Sequence, residues 1–365
     1  MKITVVVHNL NGGGAEKMMV RLANGLANLG QSVSIVLLTE GGINIKNVSE
    51  CVTLHELKAH RTVTAIPKLR QYLLDNKPDK ILSALTHVNV IAILACLSIG
   101  RLKSLYVSER NAFSKDKLVN SDFLVKTAYF LAPFLYRFIP NPVFAVSDGV
   151  AQDLIKTTVV NRASVINLPN PTLDDDFRTR EFSEPTHPWL KDKTTPVIVG
   201  LGRLAAQKGF DDLINAVAIV KQSMDVRLII YGEGELRTEF QKQIDELGLT
   251  QNVSLFGYTE APLDEIHAAD VFVLSSLFEG SPNALVEAMG AQCKVVSTRC
   301  PCGPDEVLED GAVGSLVPVK SPEKLAEAIH NTLVDTNYDI EKQLDLAEKY
   351  TVSNSAKSYL KAMEQ

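Results

Sequence analysis

Two glutamates, Glu279 and Glu287, bracket the start of a helix in the stretch Phe278–Met289, with seven residues between them. The apolar run Val271–Leu274 before them reads as a buried parallel strand. Ser281 and Pro282 then offer an N-cap and a first helical position. This arrangement puts Glu279 in the loop at the sheet's C-terminal edge and Glu287 almost two turns into the helix. A helix start gathers unpaired N–H groups and the positive end of the dipole, so it suits a phosphate. Carboxylates beside it are better placed to accept hydrogen bonds from hydroxyls, and a phosphate flanked by sugar hydroxyls describes a nucleotide-sugar. A capped helix with two solvated glutamates is the plain alternative for this segment alone. A second constellation, Gly202-Arg203 with Lys208, lies between another strand end and helix start, the usual anion site of an α/β sheet. Two fixed cations there could neutralise a diphosphate, Arg through its fork and Lys as a point charge.

The elements that must position these residues alternate along the chain. The strand Val5–His8 leads through Asn9–Glu16 into a helix to about Leu29, with Ala15, Met18, Met19, Leu22, Leu26 and Leu29 on one face. Gly30 stops it, and Val33–Leu38 is the next strand, completing a right-handed βαβ unit. The glycines Gly12, Gly13 and Gly14 let a ligand approach the backbone closely. Glu40 at the second strand's end also admits a dinucleotide-binding reading, but Gly-Gly-Gly-Ala-Glu does not fit G-x-G-x-x-G. Further units place Ser108-Glu109-Arg110-Asn111 at a strand end, in the binding crevice of a parallel sheet. His8 and His87 are strand-end candidates nearby, each more in keeping with a structural role. Residues 172–195 lack apolar periodicity and read as a linker. From Pro196 a second alternating series begins, with strands near Pro196–Gly200, Val226–Tyr231, Val253–Phe256, Val271–Leu274 and Lys294–Thr298.

At 365 residues the chain is too long for one ordinary core. Its hydrophobic fraction of 45% and charged fraction of 22% are those of a globular protein, and the net charge of −6 gives no reason to expect nucleic acid. The start shows no signal-peptide layout, and the longest apolar run, Val88–Ile99, is too short to span a bilayer. The five cysteines form no disulfide framework; Cys300-Pro301-Cys302 lacks a second ligand pair for a metal. A cytoplasmic, reduced protein is the expectation. Arg101–Pro140 stands apart, with seven Lys/Arg against three Asp/Glu, a local surplus of +4, and eight of the 22 Phe and Tyr. Basic and aromatic residues together in an amphipathic stretch suit a membrane-surface helix as well as an ordinary core helix.

The ordered series NGGGAEK, VSERN, FAVSDGVAQDL, GLGRLAAQKG, IIYGEGELR, FEGSPNALVEAMG and CPCGPDEVLEDG covers nearly the whole chain. In order and at these spacings it resembles the GT-B glycosyltransferases of the large retaining family 4, glycosyl transferases group 1. The resemblance implies an α/β fold of two Rossmann-like parallel-sheet domains facing a central cleft. Residues 1–171 would form the acceptor-side domain, 172–195 the linker and 196–349 the nucleotide-sugar domain, with a C-terminal helix at about 350–365 packing back on the first. It implies that Arg203 and Lys208 hold the donor diphosphate, Glu279 contacts the transferred sugar, and Glu287 takes the ribose hydroxyls. Backbone N–H groups of Asn283, Ala284 and Leu285, beside Gly280, would face sugar and phosphates. The base would lie against Gly232–Glu233 and Phe256–Tyr258, and Gly13 and Gly14 would close over the diphosphate. Arg203, Lys208 and Glu279 carry the catalytic roles, with Glu109, Arg110 and Asn111 on the acceptor side.

The resemblance implies no metal requirement and no cofactor beyond the nucleotide-sugar co-substrate. Asp174-Asp175-Asp176 matches a metal-binding D-x-D formally, but in a linker it reads as solvated charge. Many relatives have His where this chain has Arg110, and Arg cannot act as a base at neutral pH. The expected reaction moves a hexose or N-acetylhexosamine from a nucleotide-sugar, UDP favoured, to a sugar acceptor. The basic-aromatic stretch suits a polyprenyl-diphosphate-linked acceptor, in surface polysaccharide, O-antigen or glycan assembly at the inner membrane face. A nucleotide-sugar epimerase of the same fold, an NAD(P)-dependent oxidoreductase and an inactive binding module are the alternatives.

Overall fold

Apolar runs such as Val5–Val7 and Val271–Leu274 are covered on both faces when they lie inside a parallel sheet, and the chain builds two such sheets. The computed structural model describes residues 1–11, 13–60, 64–119 and 123–365, without the side chains of 116, 118, 119, 123 and 124. Gly12 of the glycine motif, residues 120–122 of the basic-aromatic stretch and the Phe123 ring therefore lie outside the described residues. The chain divides into one unit of Met1–Asp175 with Lys349–Gln365, and another of Asp176–Glu348.

The first unit holds β1 (Lys2–Val7), β2 (Ser32–Leu37), β3 (Val52–Glu56), β4 (Lys80–Ala84), β5 (Leu105–Glu109), β6 (Val143–Ala145) and β7 (Val165–Asn167). All are parallel, in the order β3-β2-β1-β4-β5-β6-β7. Between them run α1 (Gly14–Asn28), α2 (Ala65–Asn76), α3 (Thr86–Leu97), α4 (Phe113–Val119), α5 (Phe123–Leu135) and α6 (Asp148–Thr157). The strand order reverses direction between β1 and β4, and a ligand crevice in such a sheet opens at that switch point, beyond the strand C-termini. α1 buries Met18, Met19, Leu22 and Leu26 against the sheet. On its other side it meets the C-terminal helix Val352–Glu364 so closely that a Cβ on Gly25 would lie 2.7 Å from Val352 Cγ1. Tyr359 and Met363 of that helix join Ile3, Val5, Ile35, Leu82 and Phe144 in one core.

Glu109 and Arg110 are enclosed rather than presented to an acceptor. Glu109 accepts hydrogen bonds from Thr86 Oγ1 (2.8 Å), Asn89 Nδ2 (3.1 Å) and the Tyr136 hydroxyl. Burial and the Glu109 charge together push the Tyr136 hydroxyl well above its ordinary pKa. Arg110 donates from one terminal nitrogen to the Tyr359 hydroxyl (2.8 Å) and from the other to Asn170 Oδ1 (2.6 Å). It therefore pins the C-terminal helix to the sheet edge, since a buried guanidinium must find acceptors wherever the fold offers them. Asn111 alone of the three is exposed.

The second unit holds β8 (Val197–Leu201), β9 (Arg227–Tyr231), β10 (Val253–Gly257), β11 (Val271–Leu274), β12 (Lys294–Thr298) and β13 (Ser315–Val317), in the order β10-β9-β8-β11-β12-β13. Its helices are α7 (Pro188–Lys191), α8 (Phe210–Val220), α9 (Arg237–Glu246), α10 (Pro262–Ala268), α11 (Asn283–Gly290), α12 (Pro304–Val307), α13 (Pro322–Val334) and α14 (Ile340–Ala347). Ile198, Phe210, Leu213, Val217, Ile230, Val273 and Ile329 make its core. The switch point lies between β8 and β11.

The segment 172–195 is anchored along its length. Asp174 pairs with Arg21 (2.7 Å), and Asp175 accepts from the Ser353 N–H and hydroxyl at the C-terminal helix start. Within the second unit, Arg178 reaches Glu341, Asp345 and Glu348, and Glu265 receives the Thr186 N–H. The Asp-rich run is thus spent on an ion pair and a helix cap.

Replacing Tyr359 by Phe removes the acceptor from a buried guanidinium N–H, leaving Ser108 Oγ at 3.4 Å as a poor substitute. The Tyr359→Phe protein should lose about 1–3 kcal/mol of stability, the usual cost of an orphaned buried donor, measurable by denaturant unfolding.

Candidate functional site

At the switch point of the second sheet, the loops after β8, β11 and β12 are laced together by hydrogen bonds. The Leu277 N–H donates to Gln207 O (2.8 Å), Gln207 Nε2 donates to Phe278 O (2.9 Å), and Ser275 Oγ donates to Lys208 O (2.8 Å). The Glu279 N–H donates to Pro301 O (3.1 Å). Gly209 has φ +58°, and a Cβ there would lie 2.3 Å from Ser275 O, so only glycine lets the two loops approach this closely. The loop after β9 is held in the same way. The Leu204 N–H donates to Glu233 O (3.0 Å), and Gly232, at φ +132°, would carry any Cβ to 2.0 Å from Gly202 O.

This lacing sets the charged groups. Lys208 Nζ lies 2.7 Å from Glu279 Oε1, with the carboxylate side chain 8% exposed and the lysine 20% exposed. Ser276 Oγ donates to the same carboxylate oxygen at 2.6 Å, and Thr298 Oγ1 donates to Ser276 O at 2.6 Å. Arg203 is exposed on the same loop, and Glu287 is half-buried on α11. Among the sequence-derived donor residues, Gly202, Arg203, Lys208, Gly232, Glu233, Glu279, Gly280, Asn283, Ala284, Leu285 and Glu287 therefore share the C-terminal edge of this sheet. Tyr258 follows β10 and is 75% exposed, while Phe256 before it packs edge-on to Tyr231 and His187.

Two details of the helix start differ from the sequence reading. α11 begins at Asn283, after a Pro282 whose ψ of 74° is not helical, and Ser281 provides no side-chain cap. The Asn283 N–H closes a tight turn onto Ser281 O, with Gly303 close against the Pro282 ring, so Glu287 lies little more than one turn in. The Asn283 and Leu285 N–H groups are taken by Ser281 O and Pro282 O, and Ala284 alone of the three makes no such turn bond. Ser276 and Gln207 were missed in the sequence, where a serine three residues before a glutamate carries no pattern of its own. Burial and the nearby Glu279 push the Cys300 thiol up to about 12. Among the described residues no group of three His, Cys, Asp or Glu is placed to hold a metal ion.

In the first unit, the Glu16 carboxyl folds over Gly13, so that a Cβ there would meet Glu16 Oε2 at 2.0 Å. The space that the glycine leaves open is thus filled by the chain's own carboxyl; Gly13 and Gly14 are both exposed. Burial raises the Glu16 carboxyl above the ordinary range, partly offset by a hydrogen bond from its own backbone N–H. His8 and His87 stand beyond β1 and β4 on either side of the switch point, with ring centroids 5.2 Å apart and edge-on. Burial lowers the His8 pKa.

Residues 183–350 match the family model described as glycosyl transferases group 1. The N-acetylgalactosamine-N,N'-diacetylbacillosaminyl-diphospho-undecaprenol 4-alpha-N-acetylgalactosaminyltransferase of Campylobacter jejuni is 27% identical over 354 residues, covering 92% of this chain and 90% of that one. An uncharacterized glycosyltransferase of Methanocaldococcus jannaschii is 39% identical over 117 residues, which take in 32% of this chain and 29% of that protein. The crystal structure of Anabaena HepE in complex with UDP superposes with a TM-score of 0.82 at 19% identity, covering both chains fully. Two parallel-sheet α/β domains of this kind define the GT-B fold. The fold is therefore that of the GT-B glycosyltransferases, and within it residues 183–350, a little under half of the chain, carry the match to the glycosyl transferases group 1 model.

The Glu16 pKa gives a signed expectation. Because the folded state raises it, the unfolded chain gives up this proton first. Ionisation therefore works against the fold as pH rises from the acid range to neutrality. Glu16→Gln should melt higher than the parent at neutral pH, and the gap should close below about pH 4, where the carboxyl is protonated in both states. Thermal denaturation at the two pH values checks this. A Gln variant less stable at neutral pH would show that the bond to the backbone N–H outweighs burial.

Proposed function

We propose that the chain is a retaining glycosyltransferase that moves a hexose or N-acetylhexosamine from a UDP-sugar to a lipid-linked sugar acceptor at the cytoplasmic face of the membrane. The observation that carries this reading is the Lys208–Glu279 pair, set beside Arg203 and the start of α11 on one sheet edge. A cation and a carboxylate side by side suit a ligand that is anionic at one end and hydroxylated at the other. Arg203 and Lys208 neutralise the donor diphosphate and the charge that develops on it as the glycosidic bond breaks. With two cations doing this, the transfer needs no metal. Glu279 accepts hydrogen bonds from hydroxyls of the transferred sugar, and Glu287 from the ribose. The acceptor attacks from the face the diphosphate leaves, and the donor phosphate takes its proton, so the anomeric configuration is kept.

Two relatives support the donor and acceptor classes. HepE is known in complex with UDP and with UDP-glucose. The Campylobacter enzyme is named for an acceptor that carries its sugars on diphospho-undecaprenol. Assembly of a surface polysaccharide or glycan is the matching role, and the lipopolysaccharide core glycosyltransferase LpsE of Rhizobium meliloti, 34% identical over 142 residues, falls in the same class by name.

Thermal shift with UDP, GDP, ADP, NAD and NADP tests the donor. UDP at about a hundred times its Kd should stabilise the protein by about 2.7 kcal/mol, and Glu287→Ala should abolish the effect. Stabilisation by NAD or NADP alone would overturn the reading in favour of an oxidoreductase, and product from donor alone would identify an epimerase. NMR of the first-formed product anomer tests retention, and a trapped glycosyl adduct on Glu279 would contradict same-face attack.

A further inference from the structure

α5 has two unlike faces. Ala128, Tyr129, Ala132 and, just beyond its end, Tyr136 are buried, and the helix packs against α3. The opposite side carries Phe130 and Phe134, with Phe138 following in the 3-10 turn just beyond the helix; they are 65%, 60% and 58% exposed and spaced four residues apart. The Phe130 and Phe134 ring centroids are 6.0 Å apart, so these two rings adjoin, and the exposed Leu131 widens the patch. Lys126 lies one turn before Phe130 and Arg137 beside Phe138, both exposed. Between Val125 and Pro140 there is no Asp or Glu.

A single exposed apolar residue needs no explanation, but three phenylalanines in one row on a helix that could have turned them inward do. We infer that this stripe is the surface by which the first unit docks on an anionic lipid bilayer. The inference rests on the proposed lipid-linked acceptor and names the residues that bring the enzyme to it. Two features favour lipid over a protein partner. The apolar row is flanked by cations with no acid among them, which complements anionic headgroups, and phenylalanines on a short amphipathic helix insert at the boundary between headgroups and acyl chains. Among the described residues no helix is long and apolar enough to cross the membrane, so the helix lies on the surface. α4 starts four residues beyond the end of β5, and α3 starts two beyond β4. The stripe runs from there toward the opposite edge of the sheet, since Asn141, three residues after Phe138, donates to the Lys103 and Leu105 carbonyls at the start of β5.

Sedimentation of the full chain with vesicles tests this, using phosphatidylcholine alone and phosphatidylcholine with roughly 30% phosphatidylglycerol, an anionic fraction that draws basic segments to the surface. The protein should pellet with the anionic vesicles and be released by salt. The triple variant Phe130→Ser, Phe134→Ser, Phe138→Ser should partition about a hundredfold more weakly. The pair Lys126→Glu, Arg137→Glu should lose the preference for anionic lipid. UDP stabilisation should be unchanged in both variants, which shows that they fold and keep the donor site. Wild-type protein that stays in the supernatant, or a triple variant that pellets like wild type, would overturn the inference. So would a wild-type dimer that the triple variant converts to a monomer without any vesicle binding, because the stripe would then join two copies of the chain. Vesicle binding without UDP stabilisation would leave the docking surface standing and defeat the transferase reading; UDP stabilisation without vesicle binding would do the reverse.

Discussion

Burying a lysine against a carboxylate is costly, and the site in the second unit depends on how that cost is met. Lys208 and Glu279 both lose most of their hydration, and a pair in that position offsets the loss only with close geometry and further hydrogen bonds. Both conditions are met locally. The distance is 2.7 Å, and Ser276 donates to the carboxylate oxygen that the lysine also touches. Neither residue could hold its place alone, because each belongs to a loop. What fixes them is the set of loop-to-loop hydrogen bonds around Gln207, Ser275, Leu277 and Pro301. Gly209 and Gly232 permit those bonds, since any side chain there would strike a carbonyl of the neighbouring loop.

The same constraint produces a different outcome in the first unit. There, polar groups at the end of β5 are also withdrawn from water, but the partners come from other elements and close the group off. Glu109 is satisfied by Asn89 of α3 and by Tyr136, Arg110 by Asn170 and by Tyr359 of the C-terminal helix. One arrangement leaves a cation and an anion at a surface a ligand can reach; the other uses them as internal struts. Charge at a strand's C-terminal end therefore marks a crevice only if no distant element has already claimed it.

Much of the fold is legible in local sequence. The strands that are flanked on both sides, β1, β2, β4, β5, β6, β8, β9, β11 and β12, are largely apolar and recognisable as such. β3, β7 and β13 went unread, and all three lie at sheet edges, where only β10, with its Val253–Phe256 run, was legible. An edge strand covers less surface, so its residues are less uniformly apolar, and β7 and β13 have only three residues each. Their identity comes from the ladder partner, Asn167 opposite Ala145 or Val317 opposite Thr298, which no local pattern encodes. In the site, Arg203, Lys208, Glu279 and Glu287 could be picked out because chemistry, strand ends and spacing agree. The helix start was misplaced because Ser-Pro is a sound cap signal locally, while here Pro282 sits in a tight turn closed by the Asn283 N–H on Ser281 O.

The position of Glu279 also bears on how one site can treat two parts of a ligand differently. Lys208 is shared: its ammonium can face a carboxylate and a phosphate together, because it is a compact charge with three donors. Arg203, exposed on the same loop, can turn its fork toward a phosphate without surrendering a protein partner. In the proposed reaction this makes Arg203 the mobile cation and Lys208 the fixed one. The fixed cation also stops the carboxylate from repelling the donor diphosphate, so an anion can sit within reach of Glu279 at little electrostatic cost. In the proposed reaction, a glutamate without that lysine would be an obstacle to the very ligand whose hydroxyls it would receive.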